Sequence, residues 1–190
     1  TMATGKYWMP HDELCYAPAD VVSSTSQAVV LHYQGVEKTV MLENANEVVL
    51  STITQDYSNL EMLEDFSEPA ILYQIRKRFL QDLIYTYVSN IVIAVNPYQS
   101  LIDKQTGESI YGASFVREYI NRLKGSTLDR CDPHVFGVAA RAFLGMCTTG
   151  KRQSVLISGE SGAGKTETTK KVLYFLSSLV REEEDEDEKK

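Results

Sequence analysis

The sequence lacks several features that would assign it to a specialised class of protein. It has only three cysteines among 190 residues, Cys15, Cys131 and Cys147, which are widely spaced and form no CxxC pair. An odd number of such thiols does not indicate a disulfide framework and fits a reducing compartment. Residues 1–10 have no apolar core of a secretory signal, and no stretch approaches the ~18 apolar residues of a membrane span. We therefore expect a cytoplasmic protein without a membrane span.

Histidine is also scarce, with three residues in the chain. His11 precedes Cys15 by four residues and His134 follows Cys131 by three, so each pair could be half of a zinc site. A structural zinc site needs four ligands, and we do not expect these groups to bind a metal.

There is no excess of positive charge. The net charge is −7, which argues against nucleic acid or an anionic membrane as the main partner. Residues 182–190 read EEEDEDEKK and hold most of this charge, and we interpret them as a mobile acidic surface loop. With 43% hydrophobic and 24% charged residues, the composition is that of a globular protein and excludes disorder of the whole chain.

The first part of the sequence has the pattern of short β-strands. A Gln34-Gly35 pair separates two β-branched runs, which is a typical hairpin signal. Closely spaced short strands predict a small antiparallel barrel over residues 1–55. The strands are expected at residues 21–23, 28–33, 36–42 and 48–50.

From Pro69 onward the apolar period becomes helical and alternates with apolar runs. The run at 91–95 ends at Asn96-Pro97 and is interpreted as a strand buried on both faces. Strands that alternate with helices predict an α/β layered core. Helices are expected from Pro69, over 115–123, over 135–146 and over 165–180, with a short strand at 154–158. The helical spacing places Leu72, Ile75, Phe79 and Leu83 on one face of the first helix, and Val172, Leu173, Leu176 and Leu179 on one face of the last.

The strongest motif is GESGAGKT at residues 159–166, which matches the phosphate-loop pattern GxxxxGK[ST]. An apolar run enters the motif and an amphipathic helix leaves it, as this loop requires. Its glycines let successive N–H groups point inward at phosphate oxygens, and the helix N-terminus adds positive potential. Lys165 would place its ammonium between the β- and γ-phosphates, and Thr166 would offer its hydroxyl to Mg²⁺.

The motif and its surroundings resemble the myosin motor head. The segment GESGAGKTETTK at 159–170 is similar to the myosin phosphate loop, and DLIYTYVSNIVIAVNPY at 82–98 resembles the segment that leads into the myosin purine-binding loop. DPHVFGVAARAF at 132–143 resembles the helix before the phosphate strand. The N-terminal KYWMP…ADVVSS is similar to the Src-homology-three-like barrel that begins many myosin heads.

The resemblance implies a fold and a domain division. The fold class would be α/β, a partial P-loop NTPase core with a mixed central sheet and flanking helices, preceded by a small antiparallel Src-homology-three-like barrel. The barrel would occupy residues 1–55, the N-terminal part of the motor domain 56–181 and the acidic loop 182–190.

The resemblance also implies a set of site residues. Lys165 and Ser161 would be catalytic, with Ser161 near the γ-phosphate and the attacking water. Thr166 would hold the metal, and Glu160 would be structural or a salt-bridge partner rather than a base. The alternatives without a role in nucleotide binding are that Ser161 only fills a loop position and that Asn96-Pro97 only ends a strand. The nucleotide would be contacted by Gly159, Glu160, Ser161, Gly162, Ala163, Gly164, Lys165 and Thr166 at the phosphates, and by Asn96, Pro97 and Tyr111 at the adenine.

The segment around the adenine departs from the family pattern. Residues 103–109 look like an insertion between Pro97 and Tyr111, and Gln99 and Ser100 stand where basic residues are common in the family. Tyr98 is interpreted as a packing residue.

The function implied by the resemblance is that of an actin-based motor with ATP and Mg²⁺ as cofactors. In a complete head the partners would be actin filaments, light chains and the remainder of the head, in the cytoplasm and at the cytoskeleton. The two switch segments of the family, NxxSSRFGK-like and DxxGFE-like, do not occur in these residues, so we expect this piece alone to be inactive as an ATPase. An unrelated P-loop nucleotide kinase and a truncated, non-catalytic interaction module are the alternatives.

Overall fold

The computed structural model describes the backbone of residues 5–187 and the side chains of residues 5–182. The chain divides into two compact units, Thr1–Leu83 and Ile84–Lys190. Each unit has its own secondary structure and its own buried residues, and each is described by itself below.

The first unit contains a four-stranded antiparallel sheet whose strands follow chain order. The predicted Gln34-Gly35 hairpin is confirmed, since Gln34 has φ 48° and Gly35 has φ 85°, the left-handed conformations that a tight two-residue turn requires. The strands are β1 Lys6–His11, β2 Cys15–Ser24, β3 Ala28–Tyr33 and β4 Val36–Met41. The prediction of a strand at residues 48–50 is wrong. Glu47 makes an isolated bridge to Tyr7, and helix α1 Leu50–Thr54 already includes the last residue of the predicted strand.

Strand β1 has buried side chains on both of its faces. Neighbouring side chains of a strand point in opposite directions, so Trp8 and Met9 lie on different faces. Met9 is completely buried in a cluster with Ala19, Val29 and Leu31 of β2 and β3. Its neighbour Trp8 packs on the other side with Tyr73, at 5.5 Å between ring centroids. The sheet therefore contributes to two apolar clusters within the first unit.

Tyr73 belongs to helix α2 Glu68–Phe79, which begins with Pro69 in its first turn as predicted. The predicted apolar face is wrong, because Leu72 and Leu83 are 37% and 43% exposed while Gln74 and Arg78 are buried. The buried face of α2 is thus partly polar.

The buried polar side chains of α2 bind the preceding segment, which has little regular structure. Gln74 donates from Nε2 to the carbonyl oxygens of Thr52 and Gln55, the latter at 3.0 Å, and accepts from the backbone of Tyr57. Arg78 pairs with Asp56 at 2.6 Å. A backbone without a ladder needs partners of this kind when it is covered, so the polar side chains are buried in place of the leucines.

In the part of the chain that the structure describes, the second unit contains a two-stranded antiparallel sheet and three long helices. Helices α3 and α4 confirm the predicted ones, and α4 ends at Gly150, which has φ 65° in the left-handed region. The elements are β5 Tyr85–Val88, β6 Ile91–Ala94, α3 Ala113–Lys124, α4 Val135–Thr149 and α5 Lys165–Asp187.

Two predictions about strands in this unit are corrected by the structure. Strand β6 forms, but among the described residues it pairs only with β5, and Ile91 is 67% exposed, so the strand is not buried on both faces. Residues 154–158 form no strand, and Leu156 is 92% exposed. An apolar segment becomes a strand only when a neighbour supplies hydrogen bonds, and none of the described residues pairs with this one.

Helix α5 packs through Val172, Phe175 and Leu179, all buried, whereas Leu173 is 58% exposed, contrary to the prediction. The helix runs to Asp187, so the described part of the predicted acidic loop is helical; residues 188–190 lie outside the described part of the chain. None of the helices in that part combines the length and the apolar character that crossing a membrane requires.

Candidate functional site

The loop at residues 159–164 connects segment 151–158, which has no regular secondary structure, to helix α5. Gly162 has φ 83° and Gly164 has φ 92°, conformations that residues with a side chain rarely adopt. The Ala163 amide donates to the Glu160 carbonyl at 3.2 Å, and the Thr168 amide donates to the Gly164 carbonyl at 2.9 Å. The loop therefore curls tightly and leads directly into the helix.

Lys165 begins α5, and its side chain reaches back across the loop. Its Nζ donates to the carbonyl oxygen of Gly159 at 2.8 Å and to that of Glu160 at 2.7 Å. Ser161 and Thr166 are both exposed, so their hydroxyl groups are accessible. An ammonium group thus lies over the loop at the positive end of a long helix, which is a favourable place for an anion.

A cavity of about 250 Å³ lies beside this loop within the second unit. Five of the residues predicted at the site line it: Asn96, Pro97, Tyr111, Ala163 and Gly164. The other predicted residues, Gly159, Glu160, Ser161, Gly162, Lys165 and Thr166, belong to the adjoining loop and helix start and are not part of its lining.

Asn96 connects the two sides of the cavity. Its Nδ2 donates to the carbonyl oxygen of Gly162 at 2.9 Å, and its Oδ1 accepts from the backbone of Tyr98 at 3.0 Å. The side chain of Tyr98 is 84% exposed, so the interpretation of Tyr98 as a packing residue is wrong.

Tyr111 is half-buried, and its ring has three kinds of neighbour. Its hydroxyl is 2.8 Å from that of Tyr85, the Lys171 ammonium lies 4.4 Å from its ring centroid, and the His134 ring packs against it at 5.6 Å. Burial raises the pKa of Tyr111, an effect that the hydrogen bond with Tyr85 partly opposes, and burial also raises the pKa of Tyr85. Both phenols are therefore neutral hydrogen-bonding groups at physiological pH.

Sequence reasoning missed most of the residues that line the cavity, including Tyr85, Glu167, Thr168 and Lys171. Three of them follow the phosphate loop on α5, at the spacing that places residues 164, 168 and 171 on one helical face. That spacing could have indicated Thr168 and Lys171. Glu167 pairs with Lys170 at 2.7 Å, and this hydrogen bond lowers the pKa of its carboxyl group.

The donor set suits a phosphate-bound Mg²⁺ better than a metal held by protein alone. No three His, Cys, Asp or Glu side chains in the described part of the chain are placed to share a metal ion. Mg²⁺ takes few protein ligands when it is bound with a phosphate group, and an accessible hydroxyl such as that of Thr166 is suited to this role.

Comparison with known proteins gives consistent matches. Residues 55–190 match the family model described as myosin head (motor domain). The chain is 38% identical to the Myosin-J heavy chain of Dictyostelium discoideum over 183 residues, which are 90% of this chain and 7% of that protein. It is 40% identical to Myosin-1 of Saccharomyces cerevisiae over 130 residues, or 64% of this chain and 6% of that protein.

A third relative matches nearly the whole chain. Unconventional myosin-VI of Bos taurus is 33% identical over 184 residues, which are 96% of this chain and 13% of that protein. The chain thus spans only a small part of the length of the relatives it matches.

Proposed function

This chain belongs to the myosin head (motor domain) family, and we propose that its second unit forms part of the Mg-ATP site of an actin-based motor. The observation that carries the proposal is the hydrogen bond from Asn96 to the Gly162 carbonyl, because it joins the predicted adenine segment to the predicted phosphate loop. The family also favours a motor over a nucleotide kinase, the alternative left open by the sequence.

The phosphate groups would be bound by the loop at 159–166. The two carbonyl oxygens that now accept from Lys165 would give way to phosphate oxygens, which are stronger acceptors because they are charged. Ser161 would approach the γ-phosphate and the attacking water, and Thr166 would hold Mg²⁺, which neutralises charge on the phosphates when it is bound. Glu160 would be structural, because its carbonyl also accepts a hydrogen bond from the Ala163 amide within the loop.

The adenine would occupy the cavity lined by Asn96, Pro97 and Tyr111. A volume of about 250 Å³ lies below the usual range for whole ligands, so the cavity suits one part of a nucleotide. The phosphates would then extend past Gly164 towards Lys165.

The wider assignment follows the family. The sheet of the first unit would be the Src-homology-three-like barrel of residues 1–55, and residues 56–181 would be the N-terminal part of a motor domain with a mixed central sheet. In the complete head this section would couple ATP hydrolysis to movement on actin filaments, together with light chains and the remainder of the head, at the cytoskeleton in the cytoplasm.

These residues alone are not expected to hydrolyse ATP at a useful rate. Phosphoryl transfer also needs an in-line water and charge stabilisation on the far side of the γ-phosphate. Lys165 and Thr166 supply groups on the near side only.

The decisive experiment compares Lys165→Ala with the wild type in a complete motor head. We expect Mg-ATP affinity and steady-state ATPase activity to fall on the order of a hundredfold, because a cation aimed at the phosphates is lost. Lys151→Ala is the matched control, since Lys151 is exposed and lies before the loop. Near-normal ATPase activity in Lys165→Ala would overturn the assignment.

A further inference from the structure

The insertion between Pro97 and Tyr111 is an ordered hairpin. Ile102 and Ser109 form an antiparallel bridge, the Asp103 amide donates to the Glu108 carbonyl at 2.8 Å, and the Ile110 amide donates to the Leu101 carbonyl at 3.2 Å. We refer to residues 101–112 as the insertion hairpin. Leu101, at the start of the insertion hairpin, is buried, and both Leu101 and Ser109 line the cavity.

The tip of the insertion hairpin is closed by one carboxylate. Asp103 Oδ1 accepts from the amides of Gln105 and Thr106 at 3.1 and 2.7 Å, and from the Thr106 hydroxyl at 2.9 Å. Gly107 then turns the chain with φ 70°. The tip is therefore a turn with its own local hydrogen bonds.

The end of the insertion hairpin is tied to helix α3 by a second carboxylate. Glu108 Oε2 accepts from the Ser114 hydroxyl at 2.7 Å and from the Ser114 amide at 3.3 Å. Ser114 is in the first turn of α3, and Gly112 at the N-cap has no side chain to satisfy that turn. Glu108 therefore supplies the cap from outside the helix.

Tyr111 lies between these two attachments. Its amide donates to the Ser109 hydroxyl at 3.2 Å, and the Gly112 amide donates to the Ser109 carbonyl at 2.7 Å. Ser109 and Tyr111 both line the cavity. Because the chain is held at Glu108 and again at α3, the short stretch between them has little freedom to move the Tyr111 ring.

We propose that Glu108 is a positioning residue for base recognition, which ties the insertion hairpin to helix α3 and so holds Tyr111 against the cavity. The inference rests on the proposed Mg-ATP site and adds to it the determinant of base affinity. Glu108 does not touch the nucleotide; it acts through Tyr111.

The test measures the affinity of a complete motor head for Mg-ATP and for magnesium tripolyphosphate, which has the phosphates without the base. Glu108→Ala is expected to weaken Mg-ATP about fivefold, the effect of losing one helix cap, and to leave tripolyphosphate unchanged. Ser114→Ala removes the hydroxyl that donates to Glu108, so it should also weaken Mg-ATP relative to tripolyphosphate. Glu108→Gln keeps an acceptor oxygen and should retain most of the affinity for Mg-ATP.

The matched control is Glu118→Ala, a carboxylate on helix α3 that is paired with Arg122. It should change neither affinity. An unchanged ratio of the two affinities in Glu108→Ala, or an equal loss of both ligands, would overturn the positioning role. If the wild-type head bound neither ligand, the proposed function itself would fail, so the two failures are distinguishable. Wild-type binding of tripolyphosphate by Glu108→Ala also shows that the variant is folded.

Discussion

The side-chain amide of Asn96 donates a 2.9 Å hydrogen bond to the backbone carbonyl of Gly162, 66 residues later in the chain. The same side chain accepts from the backbone of Tyr98. One residue thus organises the turn after strand β6 and also holds the glycine loop. Under the proposed function, a change at this position should affect both parts of the nucleotide site.

Asn96→Ala removes the only amide that links the two segments among the hydrogen bonds of the described residues. We expect Mg-ATP affinity of the complete head to fall about threefold, the low end for a partly exposed neutral hydrogen bond. Equilibrium binding of Mg-ATP measures the loss. Asn121→Ala, a change at an exposed position on helix α3, is the control. Equal Mg-ATP affinities for the two variants would show that Asn96 does not contribute to the site.

Tyr111→Ala should weaken Mg-ATP about tenfold while it spares tripolyphosphate, because the ring is expected to contact only the base. Tyr111→Phe keeps the ring and loses the 2.8 Å contact with the Tyr85 hydroxyl, so it should have a smaller effect. Competition binding with the two ligands makes the measurement. Equal losses for both ligands would place the base contact elsewhere.

Gly137→Ala should destabilise the second unit although alanine is the better helix former. A methyl group at Gly137 would lie 3.0 Å from the Tyr87 hydroxyl and 3.3 Å from a ring carbon of Tyr119, both of which are buried. Overpacking of this kind costs about 1–3 kcal/mol of the free energy of unfolding.

The matched control for that substitution is Gly145→Ala on the same helix. There the nearest atoms to the added methyl belong to the side chain of Gln153, which is exposed and can move away. We expect this variant to be neutral or slightly more stable in urea unfolding. If Gly137→Ala were as stable as Gly145→Ala, the two tyrosines would have moved to accommodate the methyl group without a loss of stability, and the prediction would be wrong.

His134 should make the stability of the second unit depend on pH. Burial lowers its pKa from 6.5 to about 3, and its Nδ1 accepts from the Phe136 amide at 3.1 Å, so the folded state holds the neutral ring. The unfolded chain binds a proton near pH 6.5 that the folded chain does not bind. The stabilisation is therefore complete above that pH and is lost as pH falls from 6.5 towards 3, by up to about 1.4 kcal/mol per pH unit.

Urea unfolding between pH 7 and pH 5 tests this dependence. His134→Gln should be less stable at pH 7 because its ring contacts are lost, yet its stability should fall less steeply with acid. Asn121→Ala, an exposed change on helix α3 that removes no titratable group, is the control and should keep the wild-type slope. The same slope in His134→Gln and in the wild type would show that another group is responsible.

Much of the local structure of this chain is encoded in short stretches of sequence. The Gln34-Gly35 turn, helices α3 and α4 and the GESGAGKT loop were all predicted from the residues, because each depends on dihedral preferences and periodicities within about fifteen residues. The resemblance of that loop and its flanking segments to the myosin head also led to the family.

Contacts between distant segments decided the rest. Periodicity placed Leu72 on the buried face of α2, but the unpaired backbone near Thr52 and Gln55 needed the Gln74 amide, so the polar face is buried. Residues 154–158 have the composition of a strand, but a strand also needs a partner that composition does not specify.

The candidate site shows the same division. The sequence determined the residues of the phosphate loop because their spacing along the chain is the motif itself. Only the tertiary structure placed Tyr85 and Lys171 around Tyr111 and tied Glu108 to Ser114. These contacts depend on how the hairpin, the insertion and the helices pack together, and a hydrogen bond or a ring contact between separate elements leaves no periodic signal in the sequence.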